Sequence, residues 1–251
     1  MRRAIGCGMT VVFCSSKTGA EIARLCDELQ LAYPFIAENG GGIFLPEGRF
    51  DCAHLGGRLM GKWRIIPLGV PYDRLVEALR EVRSELALPL RGFSDMGAEE
   101  VARRSGFDIG AALLAKERHF DEPFVAECED AGALERMNEA FRARGLRIIR
   151  GGRFFHLTGG NDKGLAVRRL NGLFLEKHRA IHTVGLGDSA NDLAMLAEVD
   201  EAFLVKKPDG TYDEFVRARL PRVACVDATG PEGWAVAVAE AIKKKTGCRG
   251  S

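Results

Sequence analysis

The 251 residues carry 46% hydrophobic and 28% charged side chains, which excludes a disordered or fibrous chain and allows one large domain or a core with one sizeable insertion. Thirty-six Lys and Arg against 35 Asp and Glu leave a formal charge of +1, so the balance points neither to nucleic acid nor to an anionic membrane. Seven cysteines lie scattered without a Cys-x-x-Cys pair, and no stretch approaches the roughly 20 apolar residues of a membrane span; a cytoplasmic protein is expected.

Residues 1–5 resemble the last turn of a helix, with Gly6 or Gly8 as its stop. Residues 9–14 (MTVVFC) form an apolar, β-branched run suited to a strand buried on both faces. Thr18 is placed to cap a helix in which Ile22, Leu25, Cys26 and Leu29 recur at helical spacing, and a short strand at 34–37 completes a parallel strand–helix–strand unit. Glu38-Asn39-Gly40-Gly41-Gly42 follows, then an apolar run at 43–45. From there the rhythm changes. Strands are expected at 63–68 and 124–126, and helices at 72–86, 98–104, 111–118 and 132–144. Two further strands, 146–149 and 153–157, are joined by Gly151-Gly152, a hairpin turn. Hairpin-paired strands with helices alongside make an α+β layer, so a second domain is expected at 68–157, between core parts at 1–67 and 158–251. After it the parallel pattern returns. Asp162 caps a helix running to about residue 170, strands at 180–184 and 202–205 flank a helix at 191–197, and a last helix covers 232–244.

Chemistry concentrates in Val184-Gly185-Leu186-Gly187-Asp188-Ser189-Ala190-Asn191-Asp192. A buried strand ends in glycines, and Asp188 then sits at its carboxyl end, where open α/β sheets place their ligands. Asp192 follows at i+4, so both carboxylates can face one point. Two facing carboxylates repel unless a cation lies between them, and hard oxygen ligands favour Mg²⁺. In Gly160-Asn161-Asp162-Lys163-Gly164, Lys163 falls at the first turn of a helix, where a cation is unfavourable beside the unsatisfied amides. It therefore needs a partner, such as a phosphate or an aspartate. Ser15 ends the first strand, and its hydroxyl with the adjacent amides could hold a phosphoryl oxygen. Gly6-Cys7-Gly8 begins a dinucleotide-binding type of string, but Val11 stands at the third glycine position and the string precedes a strand instead of following one.

Hydroxyl, lysine and acidic pair, in that chain order at the strand ends of one parallel sheet, resemble the second, third and fourth motifs of haloacid dehalogenase phosphatases. FIAENGGGIFLP at 35–46, ERHFDEPF at 117–124, RGGRFFHLTGGNDKG at 150–164 and GPEGW at 230–234 narrow the resemblance to the mannosyl-3-phosphoglycerate phosphatase family. The resemblance implies a Rossmann-like parallel-sheet α/β core with an inserted α+β cap. It also implies Mg²⁺-dependent hydrolysis of mannosyl-3-phosphoglycerate to mannosylglycerate, a compatible solute. By the same resemblance Ser15 orients the phosphoryl group, Lys163 neutralises its charge and Asn191 hydrogen-bonds nearby. Asp188 binds the metal directly and Asp192 supports it through water. Glu38, Asn39, Gly40 and Gly41 line the sugar-glycerate pocket from the core side, and Arg153 and His156 reach in from the cap hairpin. On an ideal strand Arg153 and Phe155 share one face and His156 takes the other. The superfamily's first motif, Asp-x-Asp-Gly-Thr, which supplies the nucleophile, does not occur in these 251 residues. A start placed too far downstream is the expectation. The alternatives are a broader sugar-phosphate or glucosyl-3-phosphoglycerate phosphatase, or an inactive binding module of the same fold.

Overall fold

The computed structural model describes residues 1–50, 56–127, 131–150 and 153–247, and they divide into two units. One unit joins the chain's two ends, Met1–Val12 and Lys163–Ser251; the other is the continuous stretch Phe13–Asp162.

The continuous unit holds two sheets. Strand β1 (Phe13–Cys14) leads into helix α2 (Gly19–Glu28) and parallel strand β2 (Phe35–Ala37), the strand–helix–strand unit read from the sequence. The expected strand at 9–14 shortens to its last two residues, because only Phe13 and Cys14 find ladder partners, at Phe35 and Ile36. Thr18 caps α2 with a reciprocal pair: its hydroxyl accepts from Glu21 N, and the Glu21 carboxylate accepts from Thr18 N. Strands β3 (Gly42–Pro46), β4 (Arg58–Met60) and β5 (Trp63–Pro67) then add antiparallel, giving the order β1-β2-β3-β5-β4. Phe35 and Phe44 stack at 4.6 Å in its core, with Ile22 and Trp63 packed alongside.

Strands β6 (Leu90–Gly92), β7 (Asp121–Ala126), β8 (Arg147–Arg150) and β9 (Phe155–Thr158) make the second, antiparallel sheet, ordered β6-β7-β9-β8. Helices α3 (Tyr72–Leu86) and α6 (Ala131–Ala143) cover it through Leu75, Leu79, Met137 and Phe141. Helices α4 (Ala98–Ser105) and α5 (Ile109–Lys116) form a smaller cluster with Phe93 and Met96. Strand β8 pairs with β9 as a hairpin from Arg147↔Thr158 to Arg150↔Phe155; its expected turn residues, Gly151 and Gly152, lie outside the described residues.

In the other unit, helix α1 (Arg2–Gly6) stops where Gly8, at φ +73°, turns its amide back to Ile5 O. Helix α7 (Lys163–Leu175) precedes an all-parallel sheet of β10 (Val184–Gly187), β11 (Glu201–Lys206) and β12 (Ala224–Thr229). Helices α8 (Leu193–Ala197), α9 (Glu214–Arg219) and α10 (Gly230–Gly247) complete it, with Phe203, Val205, Val226 and Ala237 at the core. The first strand of this sheet falls at 184–187 and not at 180–184. Thus Ser15 and Asp188 follow strands of different sheets, β1 and β10, each an edge strand among the described residues. No described helix is long and apolar enough to cross a membrane.

Candidate active site

Asp188 leaves the end of β10, the edge strand of the parallel sheet. Its loop closes through Asp192, which is buried and accepts from Asp188 N at 3.1 Å and from the Ser189 hydroxyl at 3.3 Å. A Cβ on Gly187 would stand 2.6 Å from Asp192 Cβ, so only glycine at 187 lets the Asp192 side chain fold back against the strand end. The second oxygen of Asp192 accepts from Lys163 Nζ at 2.8 Å, and both side chains are largely buried. The partner that Lys163 required is therefore Asp192. Lys163 supplies the charge compensation that a buried carboxylate needs.

Asp188 itself is half-buried. Burial first, and the charge of Asp192 second, push its carboxyl above the ordinary range; the Ser189 hydrogen bond and Lys163 oppose this only in part. Asn191 is exposed in the single 3₁₀ turn before α8. The loop has one more brace that the sequence reading did not single out. Asp213 accepts from Ala190 N at 3.1 Å, caps α9 by accepting from Val216 N at 3.1 Å, and pairs with Lys207 at 3.0 Å. An aspartate just before a helical run was the available signal; that it also reaches residue 190 was not visible.

In the continuous unit the Ser15 hydroxyl accepts from Lys17 N at 3.3 Å, and Ser15 O accepts from Asn39 N at 3.0 Å. Glu38, Asn39 and Gly40 are all left-handed, at φ +51°, +58° and +91°. Two consecutive non-glycine residues there cost about 1–2 kcal/mol each, and such strain persists only where surrounding contacts fix it. Those contacts are explicit. Glu38 N donates to Lys17 O, and the wholly buried Glu38 carboxylate accepts from His119 N at 3.0 Å and Phe120 N at 2.7 Å. Asn161 donates to both Glu38 O and Phe120 O at 2.8 Å. Burial drives the Glu38 carboxyl up to about 7, against the pull of Arg118 and the two amides.

Glu38 thus spends its carboxylate on the backbone of 119–120. Gly41 must be glycine for the same packing, since a Cβ there would lie 2.4 Å from Phe120 Cβ. Arg118 donates to Ser16 O at 3.1 Å, Asp121 accepts from Asn39, and Glu122 accepts from Tyr72 at 2.6 Å and from Ser94. The ERHFDEPF segment is therefore the strap that holds the Ser15 and Glu38 loops. On the hairpin, Phe155 stacks on Phe124 while the His156 ring bonds Asp121, the opposite-face arrangement expected of a strand. Arg153 stands before β9, exposed, with its guanidinium close to Gly106 at the end of α4. It does not share the Asp121 contact of His156.

Among the described residues no three acidic, histidine or cysteine side chains gather as a metal cluster. Asp188 and Asp192 together still fit Mg²⁺, which commonly takes one or two carboxylates and completes its shell with waters and substrate phosphate. A half-buried carboxyl pushed up by burial and then by its neighbour's charge is the electrostatic condition a divalent cation relieves.

No family model matches the sequence. A glucosyl-3-phosphoglycerate/mannosyl-3-phosphoglycerate phosphatase of Methanococcoides burtonii is 41% identical over 234 residues, covering 93% of this chain and 85% of that protein. A mannosyl-3-phosphoglycerate phosphatase of Pyrococcus horikoshii is 32% identical over 198 residues, 79% of this chain and 78% of its own length. Among solved structures, a haloacid dehalogenase-like hydrolase from Bacteroides thetaiotaomicron aligns with TM-score 0.59 at 19% identity, over 96% of this chain and 88% of that one. The HAD subclass IIB sugar phosphatase BT4131 aligns with TM-score 0.57 at 16% identity, over 98% and 88%. The structural likenesses show the fold, and the sequence identities show the family. This chain has the fold of haloacid dehalogenase-like hydrolases and belongs to the glucosyl- and mannosyl-3-phosphoglycerate phosphatases.

Proposed function

We propose that this protein hydrolyses mannosyl-3-phosphoglycerate to mannosylglycerate and phosphate, using Mg²⁺. The supporting observation is the Asp188–Asp192–Lys163 cluster at the carboxyl end of β10, which combines a metal-type carboxylate with a buried cation. In this reading Asp188 would hold Mg²⁺ directly and Asp192 would support it through water, and the ion when bound would supply positive charge to the phosphoryl oxygens. Lys163 adds fixed positive charge for the phosphoryl group, and Asp192 holds that lysine in place. Asn191 hydrogen-bonds nearby, and Ser15 keeps its phosphoryl-orienting role on the motif alone. Asn39, Gly40, Gly41, Arg153 and His156 are assigned to the sugar-glycerate side, and Glu38 shapes that side by holding its loop to the amides of His119 and Phe120. The aspartate that accepts the phosphoryl group belongs to an Asp-x-Asp-Gly-Thr string absent from these 251 residues, so turnover is expected only from a chain that carries one.

The test is phosphate release from mannosyl- and glucosyl-3-phosphoglycerate, by the 251-residue chain and by an N-terminally extended chain bearing that string. Asp188→Asn in the active form should lower the rate at least 100-fold, as loss of a principal transition-state charge partner does. Activity in excess chelator, or in the Asp188 variant, would reject the assignment. Faster turnover of the glucosyl compound would move the substrate within the family.

A further inference from the structure

We infer that Asp121 is a positioning residue for the substrate's sugar: it fixes the ring of His156 with Nδ1–H turned inward, leaving Nε2 as acceptor for a hydroxyl of the glycosyl group. The inference rests on the sugar-glycerate reading of His156 given above.

Asp121 is wholly buried, and both its oxygens lie 2.9 Å from His156 Nδ1. Among the described residues two other side chains reach its oxygens, and both are donors; the buried Glu38 carboxyl lies near enough to feel its charge but shares no hydrogen bond with it. The Asn39 amide lies 3.3 Å from Oδ2, and the largely buried Arg118 guanidinium lies 3.9 Å from the same oxygen. A carboxylate ringed by donors is an acceptor, so the hydrogen between the two groups sits on Nδ1. A neutral imidazole holding its hydrogen at Nδ1 has a lone pair at Nε2. His156 keeps part of its surface exposed, and its ring makes no other hydrogen bond among the described residues. An acceptor selects hydroxyls, and the glycosyl group is the part of this substrate richest in them. Phosphate and carboxylate are acceptors themselves and do not suit a neutral Nε2.

The geometry joins two residues that the sequence proposed separately. Asn39 comes from the strained left-handed loop and His156 from the second strand of the hairpin, and Asp121, the first residue of β7, holds both. Registration of β7 on β9 sets this up: Asp121 stands opposite Thr158, two residues along from His156 on the same face.

The experiment has two arms on the full 251-residue chain. Long-range ¹H–¹⁵N spectra, with the His156 signals assigned by their loss in His156→Phe, should show the Nδ1–H tautomer above the imidazole titration. Asp121→Asn, which keeps one acceptor oxygen, should retain that tautomer; Asp121→Leu, which keeps none, should lose it. Wild-type His156 in the Nε2–H form overturns the inference, whether or not the leucine variant folds. In the second arm, calorimetric titration compares mannosyl-3-phosphoglycerate with 3-phosphoglycerate, which lacks the sugar. Asp121→Leu and His156→Phe should each weaken the mannosyl compound about tenfold, and 3-phosphoglycerate less, as expected for one lost hydrogen bond. Equal weakening of both ligands also overturns it. A wild-type chain that binds neither ligand contradicts the substrate reading instead, while the tautomer result still stands or falls separately.

Discussion

Lys163 and Asp192 show what a buried ion pair commits a loop to. With both side chains largely out of water, removing the lysine strands a carboxylate among the amides of its own turn. Lys163→Met should cost about 3–5 kcal/mol in urea unfolding, and adding Asp192→Leu should recover part of that loss. An additive double mutant would show that the pair is not coupled. Glu38 offers a pH test. Its carboxyl stands at about 7 in the fold against an ordinary 4.5, so the folded protein binds the proton more tightly than the unfolded chain does. Its contribution is complete below about pH 4.5 and is lost as pH rises to about 7, by up to about 3 kcal/mol. Urea midpoints measured across that window should fall less steeply for Glu38→Gln than for wild type. At this scale the sequence showed that Lys163 needed a partner, because a cation at a helix start is locally unfavourable. It did not show the distant contacts of Asp121 with Asn39 and His156, or of Asp213 with Ala190.

Elements were legible where their signals are local. Helix α3 runs over 72–86 as its apolar spacing indicates, and the Thr18–Glu21 pair that begins α2 is closed within four residues. Thr18→Ala should lower stability by about 2 kcal/mol, more than an ordinary cap, because the same hydroxyl also donates to Leu114 O. A thermal melt unchanged by this substitution would show that neither bond contributes. Strand β10 was misplaced for the opposite reason. Val184-Gly185-Leu186-Gly187 is half glycine, a poor strand by propensity. The glycines answer to packing from elsewhere: a Cβ on Gly185 would meet Val199 at 2.9 Å, and one on Gly187 would meet Asp192. Gly187→Ala should therefore cost about 1–3 kcal/mol and disturb the Asp188 loop, read as lost stability together with weaker Mg²⁺ binding.

At the scale of the molecule, composition and motif order were enough for an α/β fold with parallel sheets, but not for how the strands divide among sheets. Sheet partners follow from long-range registers that periodicity along the chain does not encode. Phe120 illustrates the limit: it lies within the stretch expected as a cap, yet it packs with Phe35 and Phe44. The unit built from both chain ends carries a different consequence. Ala4 of α1 is buried, and α1 packs with α10, at the far end of these 251 residues. On the ribosome the Phe13–Asp162 stretch is complete while α1 still lacks its partner. At about 5–20 residues per second, α1 waits on the order of ten seconds for the rest of its unit to be made. Nascent chains arrested near residue 200 should therefore yield residues 1–12 to protease while residues 13–162 resist. Residues 1–12 are translated long before the helix they pack against.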